Sequence, residues 1–233
     1  MEIKPVSSSV VAEVPAYLQQ TYWWAYVHPK AVYVFERQWL VNLILWGNFA
    51  RLRDEALDAL GQQLDGRTLQ IACVYGNLSA RLRERLAPEG KLDVVDILPV
   101  QLQNLARKLP VDPRIALHQG DSSALPMASE TYDRALLFFL LHEQPEDVRR
   151  KTLAEALRVL KPGGKLVIVD YHRPSSLSPL YWPMQGILRT LEPYAMDLWR
   201  QPIDDWLPAG FKPSRIERRT SFGGLYQLIE LTI

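Results

Sequence analysis

The chain has 233 residues, 27 Lys and Arg against 26 Asp and Glu, and 48% hydrophobic residues. That length supports one domain, or one domain with an extension, whose core is large enough to need no covalent staples. A net charge of +1 excludes the basic excess of a nucleic-acid binder, and one cysteine, Cys73, excludes a disulfide framework or a cysteine-built zinc site.

The first stretch, residues 1–64, reads as a mostly helical extension rich in aromatic residues, with Trp23, Trp24, Trp39 and Trp46 all inside it. Its start has no apolar core behind a basic end, so no secretory leader is expected. Its best apolar run, Trp39 to Ala50, is far short of the ~20 residues a membrane span needs.

From residue 65 the pattern changes. Leu69–Cys73 is a short apolar strand, followed by a helix over Leu78–Leu86 that Pro88 and Gly90 stop. Lys91–Asp96 is the next strand, and a helix runs from Pro99 to Lys108. Ile115–Gln119 and Tyr132–Leu140 are further strands, the second carrying the continuous apolar run Ala135–Leu140, as in a strand covered on both faces. Glu146–Leu160 has helical spacing of Val148, Leu153, Ala156, Leu157 and Leu160, and the turn residues Lys161-Pro162-Gly163-Gly164 end it. Lys165–Asp170 is a fifth strand, and Ser214–Thr220 with Leu225–Ile233 form a terminal hairpin around Phe222-Gly223-Gly224. This alternation predicts βαβ units in a parallel sheet between helices, and it divides the chain into an extension over 1–64 and an α/β domain over 65–233.

Such sheets bind ligands at the carboxyl ends of their strands. Asp96 ends the second strand, where an acid accepts the two hydroxyls of a ribose, and Asp121 follows the third, where it meets a base edge.

The stretch Gly120-Asp121-Ser122-Ser123-Ala124-Leu125-Pro126, with Tyr132-Asp133, Leu141-His142-Glu143 and Arg158-Val159-Leu160-Lys161-Pro162-Gly163-Gly164, resembles the class I S-adenosylmethionine-dependent methyltransferases over residues 65–174. The resemblance implies a Rossmann-like seven-stranded sheet with helices on both faces, plus the N-terminal extension. It implies S-adenosylmethionine as cofactor, held by Gln70, Ala72, Val74, Tyr75, Gly76, Asp96, Ile97, Asp121, Ser122 and Phe138. The first loop departs from the family pattern of an acid followed by three alternate glycines. Gln70 stands at the acid position, Ala72 and Val74 at the first two glycines, and Gly76 remains.

That loop, the Leu141-His142-Glu143 segment and the run Tyr17-Leu18-Gln19-Gln20-Thr21-Tyr22-Trp23-Trp24-Ala25-Tyr26-Val27-His28-Pro29 resemble the rhodoquinone biosynthesis proteins from about residue 14 onward. This narrower resemblance implies that ubiquinone is the substrate and that a ring methoxy group is exchanged for an amino group from S-adenosylmethionine, with manganese as helper. An uncharged amine is the useful nucleophile, and a carboxylate at position 70 would favour the ammonium, whereas Gln70 would not. Catalytic roles are expected of His142, Glu143 and Tyr75, and the candidate metal ligands are His142, Glu143, Asp170 and His172 at adjacent strand ends.

Plainer readings stand beside these. His142-Glu143 also fits local capping, Asp170 a turn cap, His172 a surface loop, and His28 and His118 structural positions. Cys73 reads as a small buried strand residue. The aromatic extension fits either a packed core helix or a lid that touches the inner face of the cytoplasmic membrane, with Arg37, Arg51 and Arg53 toward anionic headgroups. The rival functions are a conventional methyltransferase acting on a quinone or another small apolar acceptor, and a non-catalytic module of a quinone-synthesis assembly.

Overall fold

The computed structural model describes residues 14–22, 35–73 and 75–233. Expectations that fall on Trp23, Trp24, Tyr26, His28 and Val74 lie outside the described residues.

Among the described residues three helices precede the sheet: α1 (Ala16–Thr21), α2 (Gln38–Ile44) and α3 (Phe49–Leu60). Then come β1 (Arg67–Ile71), α4 (Leu78–Glu84), β2 (Lys91–Asp96), α5 (Pro99–Lys108), β3 (Ile115–Gln119) and β4 (Tyr132–Phe138). A 3₁₀ turn over Leu141–Glu143 leads into α6 (Glu146–Arg158) and β5 (Leu160–Tyr171). The chain closes with α7 (Tyr181–Leu191), α8 (Ala195–Arg200), a 3₁₀ turn over Ile203–Trp206, β6 (Arg215–Ser221) and β7 (Tyr226–Thr232).

The sheet has seven strands in the order β3-β2-β1-β4-β5-β7-β6, the fold that the resemblance implies. β1, β2, β3, β4 and β5 are mutually parallel, and β7 is antiparallel to both β5 and β6. The central strands are buried on both faces, which is why Leu136, Leu137, Val167 and Ile168 read as unbroken apolar runs. Pro99 opens α5, where a missing N–H costs nothing, and α6 carries Glu146 and Asp147 in its first turn and Arg158 in its last, matching the helix dipole. Phe49, Leu52, Ala56 and Leu60 of α3 join the same core as the sheet.

β1 and β4 end two residues before the expected Cys73 and Leu140, and the start of β5 differs most from expectation. Lys161-Pro162-Gly163-Gly164 does not lie outside the sheet, because β5 begins at Leu160, which pairs with Tyr132. The register shifts between Tyr132 and Arg134, Gly163 takes φ +77°, and Lys161 Nζ reaches Asp133 Oδ1 at 2.8 Å. The glycines serve an irregular strand start, since left-handed backbone there suits a residue without Cβ.

Candidate active site

The strand order reverses between β1 and β4, and a cavity of about 550 Å³ opens at the carboxyl ends there. Asp96, Asp121, Ser122, Phe138, Phe139 and Tyr171 are among its lining residues. Residues of α2 and α7 border the cavity as well.

Asp96 is anchored by the backbone. Its Oδ1 accepts Leu98 N–H at 2.8 Å, and its Oδ2 accepts Cys73 N–H at 2.8 Å. Burial pushes its carboxyl up, while those two amides pull it down. Asp121 is shaped by its own turn, with Oδ1 accepting Ser123 N–H at 2.7 Å. Ser122 Oγ accepts Gln144 Nε2 at 3.0 Å and sits 3.0 Å from Thr152 Oγ1. These fixed acceptors at strand ends fit the hydroxyls and base of a nucleoside, so this half of the cavity suits the adenosyl group of S-adenosylmethionine. Cys73 lies past the end of β1 and lines the cavity, so it is part-buried but not a strand residue. Burial and Asp96 push its thiol well up, so it has no reactive thiolate character.

The loop after β1 is held from inside. Gln70 is fully buried: its Oε1 accepts Ser79 Oγ at 2.7 Å and its Nε2 donates to Ala72 O at 3.0 Å. Gln70 therefore does not line the cavity, and its influence on a ligand runs through the loop it pins. Ala72 adopts φ +67°, the conformation a glycine takes freely, and it does line the cavity. Gly76 takes φ +87° and is covered by α3: a Cβ there would stand 2.7 Å from the Phe49 ring. Gly76 is thus a packing requirement and is not itself on the cavity wall. Its N–H donates to Glu36 Oε1 at 3.3 Å, and Glu36 also takes Asn104 Nδ2 and Lys108 Nζ, each at 2.6 Å. Tyr75 faces the cavity, stacks on Phe35 at 5.9 Å, and its hydroxyl accepts Gln101 Nε2 at 2.9 Å.

The cavity wall also carries His142 and Glu143 among apolar residues. His142 Nδ1 stands 2.9 Å from Asp170 Oδ1, and His142 Nε2 is 3.8 Å from Glu143 Oε1. Burial opposes the imidazolium, yet Asp170, Glu192 and Glu143 outweigh it and raise the His142 pKa to about 9. Phe139 takes φ +53° where β4 ends, and its ring meets Tyr171 at 5.4 Å and His142 at 5.9 Å. A bulky side chain in left-handed backbone is strained, and such strain gathers at functional sites. Arg149, fully buried, fixes the 3₁₀ turn by donating to Leu141 O at 2.9 Å and Gln144 O at 2.7 Å.

The four expected metal ligands do not converge. His142 and Glu143 line the cavity, but Asp170 spends Oδ2 on the N–H groups of Leu141 and His142 and Oδ1 on Tyr171 N–H and the His142 ring. His172 turns away, its Nδ1 2.8 Å from Gly224 O. Among the described residues no group of three or more His, Cys, Asp and Glu is placed to hold a metal ion. Asp170 is a partner of imidazole and backbone, and the donor set does not fit a manganese cage.

The structure therefore gathers Ala72, Tyr75, Asp96, Ile97, Asp121, Ser122, Phe138, His142 and Glu143 on one cavity. It leaves Gln70, Gly76, Asp170 and His172 behind that wall, and Val74 lies outside the described residues. Sequence reasoning missed Glu36, Gln144, Glu192 and Arg149. The partners of Glu36 stand 40 to 72 residues away, so no local pattern announces them. Tyr17 of α1 lines the cavity and touches Tyr194 at 6.4 Å, and its position in the aromatic run was the available signal.

A family model described as "Methyltransferase domain" matches residues 68–164. The chain is 28% identical over 192 residues to the ubiquinone/menaquinone biosynthesis C-methyltransferase UbiE of Syntrophotalea carbinolica, covering 82% of this chain and 78% of that protein. It is 31% identical over 185 residues to the demethylmenaquinone methyltransferase of Beutenbergia cavernae, covering 74% of this chain and 73% of that one. Against another relative the match spans little more than half, 53%, of its length. Among solved structures, human N-acetylserotonin methyltransferase in complex with SAM superimposes with a TM-score of 0.64 at 16% identity, over 94% of this chain and 60% of that one.

Proposed function

The chain belongs to the S-adenosylmethionine-dependent methyltransferase family, and on that premise we propose that it acts on a lipophilic quinone and makes rhodoquinone, exchanging a methoxy group of ubiquinone for an amino group. The observation that carries this reading is Gln70. The family's acid is replaced by an amide that is consumed inside the protein, tied to Ser79 and Ala72 O, with Ala72 held at φ +67°. The loop keeps a glycine-like path, and position 70 offers no carboxylate to hold the cofactor's α-amino group as ammonium.

S-adenosylmethionine held there would supply its α-amino nitrogen to the methoxy-bearing ring carbon: overall a ring C–N bond would form, the ring C–O bond and the donor's Cα–N bond would break, the methoxy group would leave as methanol, and water would supply the hydroxyl left on the donor carbon. Asp96, Asp121 and Ser122 hold the nucleoside, and Tyr75 closes the cavity beside it. His142 lines the cavity with its pKa raised to about 9 by Asp170, Glu192 and Glu143, its Nδ1 2.9 Å from Asp170 and its Nε2 3.8 Å from Glu143. A hydrogen bond from Nε2–H to a quinone carbonyl draws electrons from the ring and prepares it for attack. Phe139 and Tyr171 supply the apolar wall for the ring. Asp170 and His172, two of the four ligands the resemblance implies for manganese, are committed to backbone groups.

A second reading has its own support: the relatives are named as quinone methyltransferases, and the Lys161-Pro162-Gly163-Gly164 segment common to the wider family is intact. Incubation of the purified chain with ubiquinone and S-adenosylmethionine, followed by mass analysis of the lipid extract, separates them. An aminated product lacking one methoxy group supports amino transfer. A methylated product from a demethylated quinone, with ubiquinone untouched, overturns it.

A further inference from the structure

The loop after β1 carries side chains at two positions where the family has glycines, and Ala72 holds φ +67° there. Left-handed backbone costs alanine free energy that it does not cost glycine, so such a path needs support from outside the loop. Two consecutive residues ahead of α2 meet two consecutive residues of that loop. The Phe35 ring stacks on Tyr75, with centroids 5.9 Å apart and planes 22° from parallel. Glu36 takes the next residue: its Oε1 accepts Gly76 N–H at 3.3 Å and Lys108 Nζ at 2.6 Å. Lys108 Nζ also donates to Gly76 O at 2.9 Å. Both backbone polar groups of Gly76 are therefore held by one ion pair.

The pair is itself anchored on α5, where Gln101, Asn104 and Lys108 share one face at helical spacing. Gln101 Nε2 donates to the Tyr75 hydroxyl at 2.9 Å, and Asn104 Nδ2 donates to Glu36 Oε2 at 2.6 Å. Hydrogen bonds to ionised partners are the strong ones. The Glu36 and Lys108 side chains are 21% and 25% exposed, so salt screens them less than it screens a surface pair. Phe35 and Tyr75 line the cavity, whereas Glu36, Gly76 and Lys108 stand behind its wall. Phe35 and Glu36 precede the stretch 68–164 that the family model matches, while Gly76, Asn104 and Lys108 fall inside it. The support is thus an addition to the family's domain, placed at the loop that has lost glycines.

We propose that Glu36 is a positioning residue for the S-adenosylmethionine site. It touches no ligand. It fixes Gly76, and with it the Tyr75 ring and the path of the loop along the cavity. The inference rests on the cofactor reading, which amino transfer and methyl transfer share, and on neither transfer.

The test is calorimetry of the full chain with S-adenosylhomocysteine, paired with thermal unfolding. Glu36→Gln removes the charge and keeps the size, and Lys108→Met removes its partner. Each variant should bind S-adenosylhomocysteine about tenfold more weakly, the scale of one charge-assisted hydrogen bond. E36Q/K108M should bind no more weakly than the weaker single variant, because both side chains serve one support. Lys161→Met breaks the 2.8 Å pair with Asp133, which does not border the cavity, and should leave the affinity unchanged. That control separates positioning from a general loss of stability. The proposal is overturned if E36Q binds as tightly as the wild type, if the two single losses add in the double variant, or if K161M loses as much affinity as E36Q. A wild type that binds no S-adenosylhomocysteine overturns the cofactor reading and the proposal together, whereas a binding wild type that aminates no quinone sinks amino transfer alone. If E36Q does not fold, K108M decides: the same loss supports the positioning role, and wild-type affinity overturns it.

Discussion

His142 and Asp170, at the ends of neighbouring strands, form the tightest charged pair on the cavity: Nδ1 stands 2.9 Å from Oδ1, and Oδ2 of the same carboxylate receives the backbone N–H of Leu141 at 2.9 Å. One side chain thus charges the ring and fixes the turn that carries it. The His142 pKa is raised from the ordinary 6.5 to about 9, burial notwithstanding, so its charge is present across neutral pH. A histidine raised on folding contributes stability that is complete below the unfolded value and fades as pH climbs through the folded one. Urea midpoints should therefore be flat up to about pH 6.5 and fall toward pH 9. Activity should decline on the same alkaline limb, and Asp170→Asn should move that limb to lower pH. An unmoved limb in a folded D170N variant would remove His142 from the proposed role.

Gln70→Glu tests the rebuilt loop. Glutamate cannot donate to Ala72 O, and it sets a carboxylate against that carbonyl. The variant should lose about 1–3 kcal/mol of stability, and amino transfer should fall by more than S-adenosylhomocysteine affinity does. Chemical denaturation and steady-state rates read the two effects separately. Unchanged amino transfer by Q70E would show that the amide at this position is incidental.

Gly76→Ala should cost about 1–3 kcal/mol, because the new Cβ meets the Phe49 ring in a left-handed backbone. Combined with Phe49→Ala, whose cavity has its own cost, the two losses should be less than additive, since the clash disappears with the ring. Strict additivity in a double-mutant cycle would place the strain elsewhere.

Arg149 donates to Leu141 O, Gln144 O and Tyr194 O and lies 4.2 Å over the Trp206 ring. Arg149→Met leaves those carbonyls unpaired and should destabilise by about 3 kcal/mol or more. Lysine should rescue little of that loss, since its point charge cannot reach acceptors spread along a fork. Thermal unfolding of the two variants checks this, and a full rescue by lysine would contradict it.

Much of the fold was legible because its signals are local. The unbroken apolar run Ala135–Leu140 marks β4, a strand covered on both faces, and Pro99 and the charges of α6 mark helix ends. The start of β5 was misread because Gly163 and Gly164 announce a turn in isolation, and only pairing with Tyr132 keeps them in a strand. At the site, Asp96 and Asp121 follow from strand ends. Gln70 was given a ligand contact it does not make, since sequence identifies the position but not the direction of the side chain. Glu36, Arg149 and Glu192 depend on contacts between distant segments, which no spacing encodes. Asp170 and His172 sit where a metal shell was expected, but their oxygen and nitrogen atoms were claimed by backbone groups that only the folded chain brings near.

The central claim is that nitrogen, not carbon, leaves the cofactor. Give the purified chain ubiquinone and S-adenosylmethionine carrying heavy nitrogen in its amino group and heavy carbon in its methyl group, and weigh the quinone that forms. A rhodoquinone carrying the heavy nitrogen and no heavy carbon is the predicted result, and a quinone carrying only the heavy carbon would contradict the account.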